Sequence, residues 1–303
     1  MKLSRLFLYV LLISLSIFFI TPFYISGIVA TRATNDLYRY PIMSPTSGEH
    51  VDLYDNLIAY AYGGFREDNT GKQYVPGAER PVVYDFPVGV YYFGNSLLYG
   101  ILGSLGAILI ASLGAYSITK IPYRGSYMLF LVVFSMIFFP PQIYLIPMWD
   151  VLRTIGLMNT TPGLLLIYTG LGVPFATFIM RNHFITISKE ILESARMDGA
   201  GDLRIWSTIV MPLAKPAIAV CFIFVFNHIM QDFIFGAIMI STGGARPAMP
   251  YIYSFVVLGT GGQVVNWPVG TLGALLVSVP ALVVFVVFQK YFIRGITMGA
   301  VKG

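Results

Sequence analysis

Residues able to do chemistry are few in this chain, and they gather in two places. The first is the polar stretch Lys189–Pro216, KEILESARMDGAGDLRIWSTIVMPLAKP. It holds Glu190, Glu193, Asp198 and Asp202, four of the fourteen acidic residues. The second is Asn227, His228, Gln231 and Asp232, set in an otherwise apolar run. Amides and carboxylates so placed make charge-assisted hydrogen bonds to a partner or a solute. Nothing points to a reaction centre. No G-x-x-x-x-G-K-[ST] occurs: Gly71-Lys72 is followed by Gln73, and Gly259-Thr260-Gly261-Gly262 lacks the lysine. The chain therefore has no P-loop to cradle ATP phosphates. H-E-x-x-H, G-x-S-x-G and a mid-span carboxylate pair are absent as well. His50, His183 and His228 share no ligand spacing, and the single cysteine, Cys221, excludes a disulfide within the chain.

The first group needs a helix to position it. Ser188 is placed to cap one, and Glu190 in the first turn suits the helix dipole. Lys189 to Met197 are helix formers, with Ile191, Leu192 and Ala195 on one face and Lys189, Glu193 and Arg196 on the other. Gly199 and Gly201 break this helix, Asp202 caps a second short one, and Pro212 and Pro216 open the next apolar run. In the second group, Asn227 and Gln231 are four apart, as are His228 and Asp232. At ~1.5 Å per residue from Pro212, Asn227 lies ~22 Å and Asp232 ~30 Å along a helix. That is the outer half of a span, where polar groups face a cavity or a partner. The two readings are a solute path and a helix–helix contact between subunits.

The setting is a membrane. Of 303 residues, 56% are apolar and 11% charged, against about 25% charged in soluble domains; mean hydropathy is +0.74. Six stretches reach the ~17 residues a crossing requires: Leu6–Ala30, Phe93–Ile118, Tyr127–Met148, Gly163–Met180, Ile209–Ile240 and Val269–Phe292. The first is too long for a signal peptide's apolar region, with no A-x-A site after it, and reads as a retained span. With both termini inside, inner segments hold twelve Lys and Arg, and the short outer loops hold two, Arg153 and Arg246. That bias makes 189–216 cytoplasmic.

The long loop Thr31–Tyr92 is then external. Its run VDLYDNLIAYAY suits a helix or short strands, and the loop either contacts a binding protein or partner, or forms a cap without a recognition role. Gly103, Ala107, Ala111 and Ala115 recur every four residues and form a stripe for close helix packing. Pro140-Pro141 kinks the third span, as a static bend or a gating hinge. Asn159-Thr160-Thr161 fits the N-glycosylation pattern.

The order of residues in the polar stretch carries a resemblance. Glu193-Ser194-Ala195, Asp198-Gly199-Ala200, Ile209, Met211-Pro212 and Pro216 resemble the EAA loop of ABC importer permeases, here at 184–212, with Ser194 and Met211 as departures. Asn95-Ser96-Leu97 and Gln231-Asp232-Phe233-Ile234-Phe235 resemble segments of sugar permeases, although Met230 stands where tryptophan often precedes the latter. Gln289 to Gly303 is similar to the terminus of carbohydrate-importer permeases of the maltose type, with Met298 in place of a small residue.

The resemblance implies an all-α membrane protein. It would have a first transmembrane helix at 1–30, an extracellular loop at 31–92 and a five-helix permease core at 93–303 carrying a cytoplasmic coupling helix. It implies a non-enzymatic permease subunit of an ATP-driven, binding-protein-dependent importer, for a sugar, or alternatively for glycerol phosphate or another polar solute. Glu193, Ser194, Ala195, Asp198, Gly199, Ala200 and Pro212 would couple it to ATPases. Asn227, Gln231 and Asp232 are the substrate-path candidates. No cofactor is bound by this chain; ATP and Mg would sit on two ATPase subunits. The other partners implied are a second permease, an extracellular solute-binding protein and membrane lipid, with no nucleic acid. A secondary transporter, the competing class, needs ionisable groups in mid-membrane, and Asp232 is the one acid in a span.

Overall fold

A computed structural model describes residues 3–32, 53–62, 65–66, 73–74, 88–121, 123–241, 244–257 and 267–300. Most of the 31–92 loop, the glycine run 259–262 and the end of the C-terminal tail lie outside the described residues. The helices are α1 (Leu3–Ala30), α2 (Leu53–Tyr62), α3 (Val88–Lys120), α4 (Ser126–Ser135), α5 (Leu145–Thr154), α6 (Thr161–Ile185), α7 (Lys189–Met197), α8 (Asp202–Ile205), α9 (Lys215–Met230), α10 (Ile234–Met239), α11 (Ala248–Val257) and α12 (Trp267–Ala300). Two strands of two residues, β1 (Phe65–Arg66) and β2 (Gln73–Tyr74), pair antiparallel. The ambiguous run at Leu53–Tyr62 is thus a helix.

Among the described residues, four helices are long and apolar enough to cross a membrane unbroken: α1, α3, α6 and α12. Two more crossings are bent pairs, Ser126–Phe138 with Pro141–Thr154 at 103° and Asp202–Leu213 with Lys215–Met230 at 78°. With each bent pair taken as one span, the described residues hold the six spans of an all-α membrane protein. The third span is broken rather than kinked. Pro140 and Pro141 follow each other, so two backbone donors are missing at one point, and short 3₁₀ turns flank the gap. The straight helix of the fifth span, α9, starts later and ends earlier than the hydropathy suggests. From α8 the chain continues through a π-helical turn, Trp206–Val210, and a helical turn, Met211–Leu213, before bending at Ala214. The long helix α9 then stops at Met230.

The chain divides into two compact units, residues 1–93 with 248–278, and 94–247 with 279–303. In the first, Tyr60 of α2 is the centre of packing. Its carbonyl accepts from Tyr251 Oη at 2.7 Å, and the two rings lie 5.7 Å apart. An added Cβ at Gly89 would meet the Tyr60 carbonyl oxygen at 2.1 Å, so only glycine lets α3 begin this close. Asn56 is buried and donates to the carbonyls of Ala30 and Arg32 at 2.9 and 3.0 Å, tying α2 to the end of α1.

The second unit is built on the small-residue stripe. Ala107, Ala111 and Ala115 are fully buried, and the partners of the stripe are α6 and α9 of the same chain. A Cβ at Gly103 would lie 2.8 Å from Ile229 Cδ1, and one at Gly172 would lie 2.8 Å from both Ala107 and Val225. Helices packed this closely gain dispersion contact that lipid tails cannot match. Two apolar clusters result. One joins α3, α6 and α9 to α7 and α8 through Tyr116, Phe184, Leu192 and Ile205. The other joins α3, α5, α6, α9 and α10 through Tyr99, Leu152, Tyr168 and Phe235.

The α6 helix begins at a true cap. Thr160 Oγ1 accepts from Gly163 N–H at 3.2 Å. Asn159 sits at φ 58°, and its Oδ1 accepts from the Ser241 backbone N–H and hydroxyl at 2.8 and 3.0 Å. The residues that fit the glycosylation pattern thus build a turn. Asn95 also ties distant backbone together. Its side-chain amide donates to the carbonyls of Gly244 and Arg246, and Tyr99 Oη donates to Ala245.

Candidate functional site

The polar stretch folds as two short helices at a glycine corner. At the end of α7, Gly199 N–H donates to the Arg196 carbonyl and Ala200 N–H to the Ala195 carbonyl, both at 3.0 Å. This pair of bonds is a Schellman motif, and it requires the left-handed φ of 82° found at Gly199. An added Cβ there would meet nothing within 4 Å. Glycine is thus needed for the backbone conformation, and the space beside it is open. Ser188 occupies the N-cap position of α7, but its hydroxyl bonds the Glu190 carboxylate instead of a backbone N–H.

Asp202 does not cap α8. Gly201 holds that position, and the Asp202 carboxylate is used otherwise. Its Oδ1 accepts from Arg196 Nη2 at 2.9 Å and from Tyr116 Oη at 3.0 Å. One oxygen thereby joins α7, α8 and the end of α3. The bond to Asp202 holds the Arg196 guanidinium above its ordinary value, against a smaller opposing effect of burial. Lys120 Nζ adds a second tie, donating to the Ile187 carbonyl at 2.7 Å. Both partners of the Arg196–Asp202 pair are more than a third exposed, so its contribution is about 0.2–1 kcal/mol. The pair fixes direction more than stability.

The apolar face expected on α7 is divided. Leu192 is buried and Ala195 half-buried against the chain's own core. Ile191 is 48% exposed, and Met197 and Leu203 are 88% and 69% exposed. The free surface of the corner therefore includes Glu190, Ile191, Glu193, Ser194 and Met197 on α7, with Asp198 and Gly199 at the turn and Leu203 on α8. Ala200 packs inward, and Pro212 lies in the helical turn before the 78° bend.

The second polar group does not stay together. The Gln231 amide donates to Asn227 Oδ1 at 2.9 Å, across the last turn of α9. Asp232 lies past the helix end, where its Oδ2 accepts from Tyr168 Oη at 2.9 Å and from Gly236 N–H at 3.0 Å. It anchors the start of α10 and binds it to α6. Counting residues along one long helix put Asp232 on one face with His228; the stop at Met230 takes Asp232 off that helix. A cavity of roughly 510 Å³ opens instead between the broken third span, α6 and α9. Phe139, Tyr144, Tyr168, Phe175, Phe224 and His228 line it. The lining is mostly apolar, with these five aromatic rings set among Met, Ile, Leu, Val and Pro side chains and one imidazole, and Asn227 and Gln231 are outside it. Of these residues the sequence singled out only His228; the aromatic ones went unnoticed, because they come from separate elements brought together beside the break at Pro140-Pro141.

Residues 98–298 match the model of a family described as the inner membrane component of binding-protein-dependent transport systems. A probable ABC transporter permease of Pyrococcus horikoshii is 35% identical over 55% of this chain and 59% of its own length. The alpha-glucoside transport system permease AglG of Rhizobium meliloti is 33% identical over 70% of this chain and 56% of its own length. The matches thus span between half and two thirds of those relatives. Among solved structures, a bacterial ABC transporter involved in import of the acidic polysaccharide alginate superposes with a TM-score of 0.70, over 96% of this chain and 98% of that one. At 21% identity, this similarity concerns the fold.

Proposed function

The chain belongs to the family of binding-protein-dependent transport system inner membrane components, and from that premise we propose that it is one permease subunit of an ATP-driven importer of a sugar. The observation that carries this reading is the rigid corner α7–α8. It presents Glu193, Ser194, Asp198 and Gly199 outward while Tyr116, Asp202 and Arg196 lock it to the end of a membrane-spanning helix. A surface so held can pass a push from a soluble subunit to the spans without deforming. The soluble subunits are two ATPases carrying ATP and Mg. A second permease completes the membrane part, and a solute-binding protein delivers cargo from the side opposite the corner. Both termini and the corner are cytoplasmic, as the twelve-to-two basic bias indicates.

The solute class follows from the alpha-glucoside relative and from the cavity. Aromatic faces suit the apolar faces of a sugar ring, and His228 can exchange hydrogen bonds with hydroxyls. Asn227 and Gln231 serve the path near its mouth, and Asp232 holds the path's wall. The test is reconstitution with the partner subunits and measurement of ATP hydrolysis with and without the loaded binding protein. Glu193→Ala removes a charge-assisted hydrogen bond of ~1.5–3 kcal/mol and should reduce stimulation about tenfold or more while the complex still assembles. Uptake of a labelled alpha-glucoside against glycerol phosphate decides the cargo. Full stimulation in Glu193→Ala would sink the coupling role of α7.

A further inference from the structure

Beside α7 lies a groove of roughly 720 Å³ that holds Arg124 and Lys189, two cations the coupling role does not use. Lys120, Tyr123, Arg124, Lys189, Glu193 and Arg196 line it. Four cations thus face one carboxylate. Arg196 is already paired with Asp202, and Lys120 spends one of its three N–H bonds on the Ile187 carbonyl. Arg124 and Lys189 are exposed, with no hydrogen bond or ion pair among the described residues. The groove is therefore short of anions.

Its depth in the membrane is fixed by its walls. The spanning helix α3 ends at Lys120, and the next span begins at Ser126. Residues at such ends lie at the level of lipid headgroups, where basic and aromatic side chains gather. Directly beyond the groove, α4 exposes Tyr127, Met128, Leu129 and Val132, by 60%, 66%, 49% and 58%. A basic pocket that opens onto an apolar helix face matches an amphiphile with an anionic head and hydrocarbon tails. An acidic peptide or a free anion would leave the apolar track unused.

We propose that this groove is a binding site for an anionic phospholipid, whose phosphate sits between Arg124 and Lys189 and whose acyl chains run along the exposed face of α4. The site takes from the proposed topology that this end of the spans is cytoplasmic. Bound lipid would brace α7 against the end of α3.

The test uses the full-length chain in a neutral detergent, with the thermal unfolding midpoint followed during titration with phosphatidylglycerol, phosphatidylcholine or inorganic phosphate. Phosphatidylglycerol should raise the midpoint saturably, and the other two should not. Arg124→Gln and Lys189→Gln should each raise the half-saturating concentration about fivefold, and the double variant about 25-fold. Arg153→Gln, outside the groove, should leave it unchanged. Met128→Gln keeps every charge, and should weaken phosphatidylglycerol binding while folding as the wild type does; it carries the test if the double variant fails to fold. Equal titrations for wild type, the charge variants and Met128→Gln would overturn the site. So would a midpoint shift saturated by inorganic phosphate alone. Binding-protein-stimulated ATP hydrolysis is measured in parallel in phosphatidylcholine vesicles. Its absence in the wild type would remove the importer reading and leave the lipid titration standing.

Discussion

Replacing Gly199 separates the folding role of the corner from its docking role. The residue sits at φ 82°, and a Cβ there meets nothing within 4 Å. The cost of a side chain is therefore backbone strain alone, about 1–2 kcal/mol for a general L-residue and less for Asn or Asp, which visit the left-handed region more readily. Gly199→Asn and Gly199→Asp place side chains of nearly equal shape on the open face and differ by one charge. In solution that charge adds only ~1 kcal/mol of repulsion with Asp198. Under a docked subunit, where water is partly excluded and the effective dielectric constant falls toward about 20, the same repulsion approaches ~4 kcal/mol. The two variants should unfold at similar temperatures. Gly199→Asp should lose binding-protein-stimulated ATP hydrolysis by more than tenfold relative to Gly199→Asn, and should fall below Glu193→Ala. The assay is ATPase rate in reconstituted vesicles, with unfolding temperature measured on the same preparations. Equal stimulation in Asn and Asp variants would show that nothing docks over the turn, and the corner would lose its place in the mechanism.

Asp232→Ala leaves Tyr168 Oη and Gly236 N–H without their acceptor and should destabilise the chain by about 1–3 kcal/mol, whereas Asp232→Asn, which keeps an acceptor, should be milder; thermal unfolding in detergent measures both. The pair Asn227→Leu and Gln231→Leu should slow uptake while the complex assembles normally, and unimpaired transport in both would assign them to a lipid-facing or inert surface. For topology, Cys221→Ser with single cysteines at Ser47, Ser188 or Thr297 should give external labelling by an impermeant thiol reagent only at the first. Labelling of Ser188→Cys from outside would invert the orientation.

The spans were legible because about twenty consecutive apolar residues in water-excluding surroundings have few alternatives to a helix. The stripe from Gly103 to Ala115 announced close packing, and the glycine after Asp198 announced the end of α7. What hydropathy did not carry is where a span breaks. Pro140-Pro141 signals a fault in the ladder, but the 103° between its halves depends on α6 packing against α4. At Ala214 the flanking Pro212 and Pro216 mark where α9 opens, but not the 78° between it and the segment before it. Helical periodicity also grouped Ile191 with Leu192 and Ala195. Which part of an apolar arc meets the chain's own core depends on the neighbour, here Tyr116, Phe184 and Ile205. Asp202 and Asp232 were misplaced for a shared reason. Each accepts from a tyrosine more than sixty residues away in sequence, and no local pattern encodes that partner.

The π-helical turn at Trp206–Val210 has a consequence for how this protein tolerates insertion and deletion. A π turn accommodates one residue more than the α turn it interrupts, so it sets the angular phase between α8 and the segment leading into α9. Removing one residue, for example Ser207, would let the segment relax to regular α-helix. Because the turn already holds the extra residue, this deletion would leave the segments on either side close to their present phase, with Asp202 still beside Tyr116. The same deletion inside regular helix, for example in α7, would rotate everything upstream of it by about 100° and shift it by ~1.5 Å. The π turn is thus the point in this stretch where the chain can lose one residue without changing the aim of the corner.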